Sequence, residues 1–280
     1  MSLKQGVNNR NGEIDTQEIC KAQMRKLVTI GRGGTGKTSF VALMTKYFVE
    51  KEATPLLLVD ADSDQNLGEM VGVDLKKEGK KTISELLTET FIEAGGTTVG
   101  VPPKERIESR IWANGMYEGD FFDLIALGTK WVEGCYCLPN AALKGALESV
   151  TKNYKYILID SPAGLENLNR RITSKVDDIF DIIDPSKKSF DHIERAYRIA
   201  KEVKIDFKNF YLVGGFRFPR DLDLPHISIP KLEFLGKIAQ DEEVGQYVLE
   251  GKSLLDVSRD SLAYLSIKKI IEKIDYTKSN

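Results

Sequence analysis

Residues 31–38 run Gly31-Arg32-Gly33-Gly34-Thr35-Gly36-Lys37-Thr38, and their types and spacing suit a site that grips phosphate. The glycines let the backbone curl until successive N–H groups point at one anion, and a helix starting behind the loop adds its positive N-terminal end. Lys37 is placed to neutralise the β- and γ-phosphates of a nucleotide, and the Thr38 hydroxyl to ligate Mg²⁺. The residues expected to hold the nucleotide are Gly33, Gly34, Thr35, Gly36, Lys37, Thr38 and Ser39. Such a pattern carries weight only between a strand and a helix. Here Leu27-Val28-Thr29-Ile30 precedes it, and Phe40, Val41, Leu43, Met44, Tyr47 and Phe48 follow at the spacing of one helix face.

Two acidic motifs end other apolar runs: L-L-L-V-D-A-D with Asp60 and Asp62, and Y-I-L-I-D-S-P-A-G with Asp160. Ligands of an open parallel sheet bind at such strand ends. Mg²⁺ is a hard cation that takes oxygen ligands, so Asp160 is expected to hold it together with Thr38. Asp62 is expected to orient the attacking water, because phosphoryl transfer asks the protein mainly for positioning and charge stabilisation. A lone strand-end aspartate is often only a helix cap. Three elements in this order argue for phosphate chemistry instead.

Cys135 and Cys137 stand in G-C-Y-C-L-P-N-A, and Pro139 with Ala142, Leu143, Leu147 and Val150 places a helix directly after them. A helix N-terminus favours the thiolate, the form that binds soft metals. On residues alone, metal binding and ordinary packing are equally open for this pair. One pair supplies two ligands where zinc sites want four, and a two-fold dimer would supply the rest. Cys20, His192 and His226 have no neighbouring cluster of ligand types, and the two histidines read as surface or hydrogen-bonded residues.

These residues must be positioned by an alternation of short buried runs and helices. Beyond the loop the runs are Leu56 to Val59, Phe122 to Leu127, Tyr156 to Ile159, Ile179 to Ile183, Tyr211 to Val213 and Phe234 to Ile238. That pattern predicts an α/β fold, a doubly wound and mostly parallel sheet with helices on both faces. Residues 1–23 read as a polar leader or appended tail, and residues 24–280 as a single domain. Lys76 to Lys81 and Gly95 to Pro103 read as surface connections. The pattern Leu265, Ile267, Ile270, Ile271, Ile274 reads as the last core-packing helix. A net charge of −2 gives no global field for nucleic acid or anionic lipid, and neither partner is expected. With no membrane-length apolar stretch and no signal segment, the expected location is cytoplasmic.

The segments G-R-G-G-T-G-K-T, D-A-D-S-D-Q-N-L and I-D-S-P-A-G-L-E-N-L resemble the deviant Walker A, switch I and switch II of the MinD/ParA-like ATPases, which include nitrogenase iron protein. That resemblance implies a P-loop NTPase of the MinD/nitrogenase iron protein type that uses ATP and Mg²⁺ and closes as a homodimer. It also implies switch positions Asp60, Asp62, Asp160 and Gly164. G-C-Y-C-L-P-N-A, A-G-L-E-N-L-N-R-R (163–171) and D-P-S-K-K-S (184–189) are similar to the CooC type, ATPases that insert nickel into carbon monoxide dehydrogenase. By that likeness Cys135 and Cys137 hold nickel, or zinc in its place, at a dimer-shared site, and the client is carbon monoxide dehydrogenase or a related nickel enzyme. An iron-sulfur electron-transfer ATPase and a positioning ATPase are the alternatives. The chain departs from the family at four places, the mildest being Ser63 where many relatives have proline. Arg32 replaces the lysine that reaches the partner's phosphates, Gly214-Gly215-Phe216 stands where an adenine-contacting asparagine is usual, and Ala239 stands where a proline is.

Overall fold

Apolar runs with no polar alternation are strands buried on both faces, and here they assemble into one eight-stranded sheet. The computed structural model describes residues 24–90, 101–128, 137–162, 173–219, 221–222, 229 and 232–274, with only the backbone for 137–140. In chain order, β1 (Arg25–Gly31) leads through the phosphate loop into α1 (Lys37–Glu50), then β2 (Leu56–Asp60), α2 (Ile83–Thr88) and α3 (Pro103–Arg110). There follow β3 (Met116–Glu118), β4 (Asp123–Ala126), α4 (Cys137–Val150), β5 (Tyr156–Asp160), β6 (Lys175–Ile183) and α5 (Lys187–Glu202). The last elements are β7 (Asp206–Gly214), β8 (Leu232–Lys237), α6 (Glu242–Leu249) and α7 (Leu262–Ile274).

The strand order is β3-β4-β2-β5-β1-β6-β7-β8, and every pair is parallel except β3 with β4. From β1 the chain first builds toward one edge and after β5 toward the other. The phosphate loop therefore leaves the carboxyl end of β1 at the point where the winding reverses, the crevice in which open α/β sheets bind ligands. The two-residue period of each strand divides the core. Leu27, Leu56, Leu58, Leu158 and Phe180 pack under α1 and α7, while Val28, Ile30, Leu57, Val59 and Ile159 pack under α4 and α5.

The structure departs from expectation in several details. Strand β3 lacks a run long enough to show a pattern, since it has three residues and only one neighbour. In α1 every residue from Phe40 to Phe48 is buried, not one face alone, because α7 and the segment around Leu254 cover the side away from the sheet. Pro103 is not part of a connection but the first residue of α3, where its fixed φ and missing N–H cost nothing. Lys76 to Lys81 is a turn as expected, and Asp74 accepts the Lys76 and Lys77 N–H groups at 3.1 and 3.2 Å. Ile267, Ile270 and Ile271 of α7 are buried, which makes it a core-packing helix. Among the described residues no helix is long and apolar enough to cross a membrane.

Candidate functional site

Gly36 stands at the N-cap of α1 with φ 93°, a left-handed conformation that a side chain would strain, and a Cβ there would lie 2.6 Å from the Phe216 ring. The loop is thus turned by glycine and covered by the segment that follows β7. Lys37 is only 8 % exposed, and its Nζ donates to the Arg32 carbonyl at 3.3 Å. The same carbonyl accepts the Thr35 hydroxyl at 2.9 Å and the Thr35 N–H at 3.4 Å, so one oxygen gathers both polar side chains of the loop. The Arg32 side chain turns away from the loop. Its guanidinium donates to Ser186 Oγ at 3.3 Å and lies 3.9 Å from Asp184 Oδ2.

Three buried carboxylates lie near this loop. Asp160, at the end of β5, is fully buried, and neither oxygen completes a hydrogen bond of good geometry. Burial pushes its pKa up to about 6, and the charge of Asp62 adds to the rise; the nearby Thr38 hydroxyl and the Lys37 ammonium act against it. A buried oxygen pair without a donor, facing a hydroxyl and an ammonium, is a donor set that fits a hard divalent cation. Asp60, at the end of β2, has another role. It accepts the Asp62 N–H at 3.1 Å and the Leu67 N–H at 3.0 Å, which pins the loop between them. Burial, then the charge of Asp160, raises its pKa to about 8 in spite of those two bonds. Asp62 itself stays in its own turn, accepting from Ser63 Oγ at 3.3 Å and from the Asp64 N–H at 3.2 Å.

The third carboxylate escaped sequence reasoning. Asp181 interrupts the run Ile179 to Ile183, and that interruption was the available signal. It is fully buried, makes no hydrogen bond among the described residues, and lies beside Ile30 just before the phosphate loop. His192 Nε2 is 3.9 Å from its Oδ1. Burial lifts the Asp181 pKa to about 7, against the pull of Lys37. An unfolded aspartate ionises near 4, so between those values the folded state holds more protons and stability falls as pH rises. Asp181→Asn removes that loss. Relative to wild type, the substitution should gain about 2 kcal/mol more at pH 8 than at pH 5.5. Urea unfolding at the two pH values checks it, and an equal effect at both would mean that Asp181 does not titrate in this range.

The structure thus brings Lys37, Thr38 and Asp160 together and leaves Asp62 in its own turn beside them. Ser186 and Asp184, the partners of Arg32, were visible only as part of a motif, because nothing in sequence links positions 154 residues apart. Gly164 and Cys135 lie outside the described residues, and Cys137 is placed only as the first residue of α4. Among the described residues no group of three or more His, Cys, Asp or Glu side chains is arranged to hold a metal.

A family model described as an AAA domain matches residues 26–211, most of the chain, including the phosphate loop and the three buried carboxylates. The chain belongs to this family of MinD/ParA-like P-loop ATPases. An uncharacterised ATP-binding protein of Methanocaldococcus jannaschii is 32% identical to this ATPase over 248 residues, covering 87% of this chain and 96% of its own. The carbon monoxide dehydrogenase accessory protein CooC of Rhodospirillum rubrum is 24% identical over 265 residues, 90% of this chain and 98% of its own. Among solved structures, the septum site-determining protein MinD of Pyrococcus horikoshii, complexed with Mg-ADP, superposes with a TM-score of 0.61 at 21% identity. That match covers 91% of this ATPase and 97% of MinD, and it establishes a shared fold.

Proposed function

We propose that this ATPase is a dimeric, Mg·ATP-driven metallochaperone that delivers nickel to carbon monoxide dehydrogenase or a related nickel enzyme. The observation that carries the reading is the start of α4 at Cys137, the second cysteine of the Cys-x-Cys motif. The end-to-end likeness to a carbon monoxide dehydrogenase accessory protein supports it. The positive end of the helix favours thiolates, and thiolate sulfur suits nickel as cargo.

Under this reading the backbone and side chains of Gly33 to Ser39 hold the triphosphate, and Lys37 leaves the Arg32 carbonyl to bind the β- and γ-phosphates. Thr38 and Asp160 would hold Mg²⁺, which would supply positive charge to offset that of the phosphates. Asp62 orients the water in a loop that Asp60 anchors. Arg32 leaves Ser186 and Asp184 to reach the nucleotide of the second protomer, where its planar fork bonds phosphate in a bidentate manner. Dimer closure brings the two cysteine pairs into one four-sulfur site.

Titrating nickel into the reduced, Mg·ATP-loaded protein should give one metal per dimer with sulfur-to-nickel charge-transfer absorption. The Cys135→Ser/Cys137→Ser protein should lose that band and bind nickel at least roughly a hundredfold more weakly, while still hydrolysing ATP. Equal affinity in the two proteins, or one metal per monomer, would overturn the shared-site reading.

A further inference from the structure

At the opposite end of the sheet from the phosphate loop lies a second cleft of about 470 Å³, lined by the amino ends of β1, β6 and β7 and the end of α4. Lys26 is in its floor. Gly31 is five positions beyond Lys26 on β1, roughly 16 Å along the strand, so the two sites do not overlap. The Lys26 side chain is buried to 8 % exposure, unusual for an ammonium unless a counter-ion is bonded to it. Among the described residues no carboxylate oxygen comes within ion-pairing distance of its Nζ. Its hydrogen bond is a long one, 3.4 Å to Thr173 Oγ1. That hydroxyl is already engaged, donating to the Lys175 carbonyl at 2.9 Å and accepting the Lys175 N–H at 3.1 Å.

Two acids act on this ammonium, Glu148 more strongly than Asp177, and Asp177 is already engaged. One oxygen accepts the Lys26 backbone N–H at 2.8 Å, and the other pairs with Lys208 Nζ at 2.6 Å. Lys152 and Lys175 add positive charge to the walls, and Glu148 and Asp206 add negative. Four ammonium groups thus line the cleft with three carboxylates, and among the described residues the buried Lys26 ammonium has one long hydrogen bond and no ion pair. Burial lowers the Lys26 pKa, and Glu148 and Asp177 restore only part of it.

We infer that this cleft is a binding site for a small oxyanion, phosphate- or carboxylate-type, with Lys26 as its central counter-charge and Lys175 and Lys152 as secondary ones. A bound anion would supply the counter-charge that, among the described residues, no ion pair gives this buried ammonium. The cleft has the volume for such a ligand and opens to solvent through its lysine-bearing walls.

The test is calorimetric titration of inorganic phosphate, and separately of malonate, into full-length protein saturated with Mg·AMPPNP so that the phosphate loop is filled. One anion per chain should bind wild type, and the stronger of the two probes identifies the ligand class. Lys26→Met keeps the buried stem and should weaken binding tenfold or more. Lys175→Ala, at an exposed position, should weaken it severalfold and decides the matter if Lys26→Met does not fold. No binding of either anion at 50 mM in buffer of matched ionic strength, or unchanged affinity in the Lys26 or Lys175 variant, would overturn the inference.

Discussion

Lys37→Ala should lower ATP affinity by roughly a hundredfold or more, a loss on the order of 3 kcal/mol. Lys37 is the buried cation of the phosphate loop, and its Nζ already sits on a loop carbonyl where the phosphates are expected to arrive. Charge-assisted hydrogen bonds in a partly desolvated pocket are stronger than neutral ones, and alanine leaves phosphate charge without that partner. Asp62→Ala is the contrast. Its carboxylate bonds only within its own turn, so affinity should hold while turnover falls and the ATP-bound dimer accumulates. Equilibrium binding of a fluorescent ATP analogue, with single-turnover hydrolysis, separates the two. Equal loss of binding in both variants would show that the proposed division of roles is wrong.

Asp160→Asn should cut hydrolysis to near background and remove the Mg²⁺ dependence of nucleotide binding, while the metal-free protein becomes more stable. The carboxylate is fully buried with no hydrogen bond of good geometry among the described residues, and burial raises its pKa in spite of the nearby Thr38 hydroxyl and Lys37 ammonium. A bound divalent cation would relieve the cost of burying that charge; the amide is neutral and incurs little of it. ATP titrations with and without Mg²⁺, beside thermal unfolding at pH 8, read both effects. A variant that still binds nucleotide in a Mg²⁺-dependent way would assign the metal to another residue.

The phosphate loop was legible because its chemistry needs fixed residue types at fixed spacing, and β1, β2 and β5 were legible because strands buried on both faces are continuous apolar runs. Those runs understate β6 and β7, whose first residues, Lys175 and Asp206, are exposed and carry no apolar signal. Asp181 was lost for the opposite reason, because a single acid inside Ile179 to Ile183 does not break the pattern around it. The seat of Arg32 on Ser186 and the pinning of the switch loop by Asp60 depend on tertiary placement that spacing does not encode.

The two margins of the sheet bear on how copies of this protein meet. A long, flat outer strand invites a second molecule to continue the ladder, a route to uncontrolled aggregation. Here one margin is β3, three residues running antiparallel to its neighbour. The other is β8, where the register with β7 slips between Leu212 and Val213 and Gly236 takes φ 144°. Neither offers a regular row of free backbone groups of useful length. Continuation of the sheet from one copy of the chain into the next is thereby discouraged at both margins.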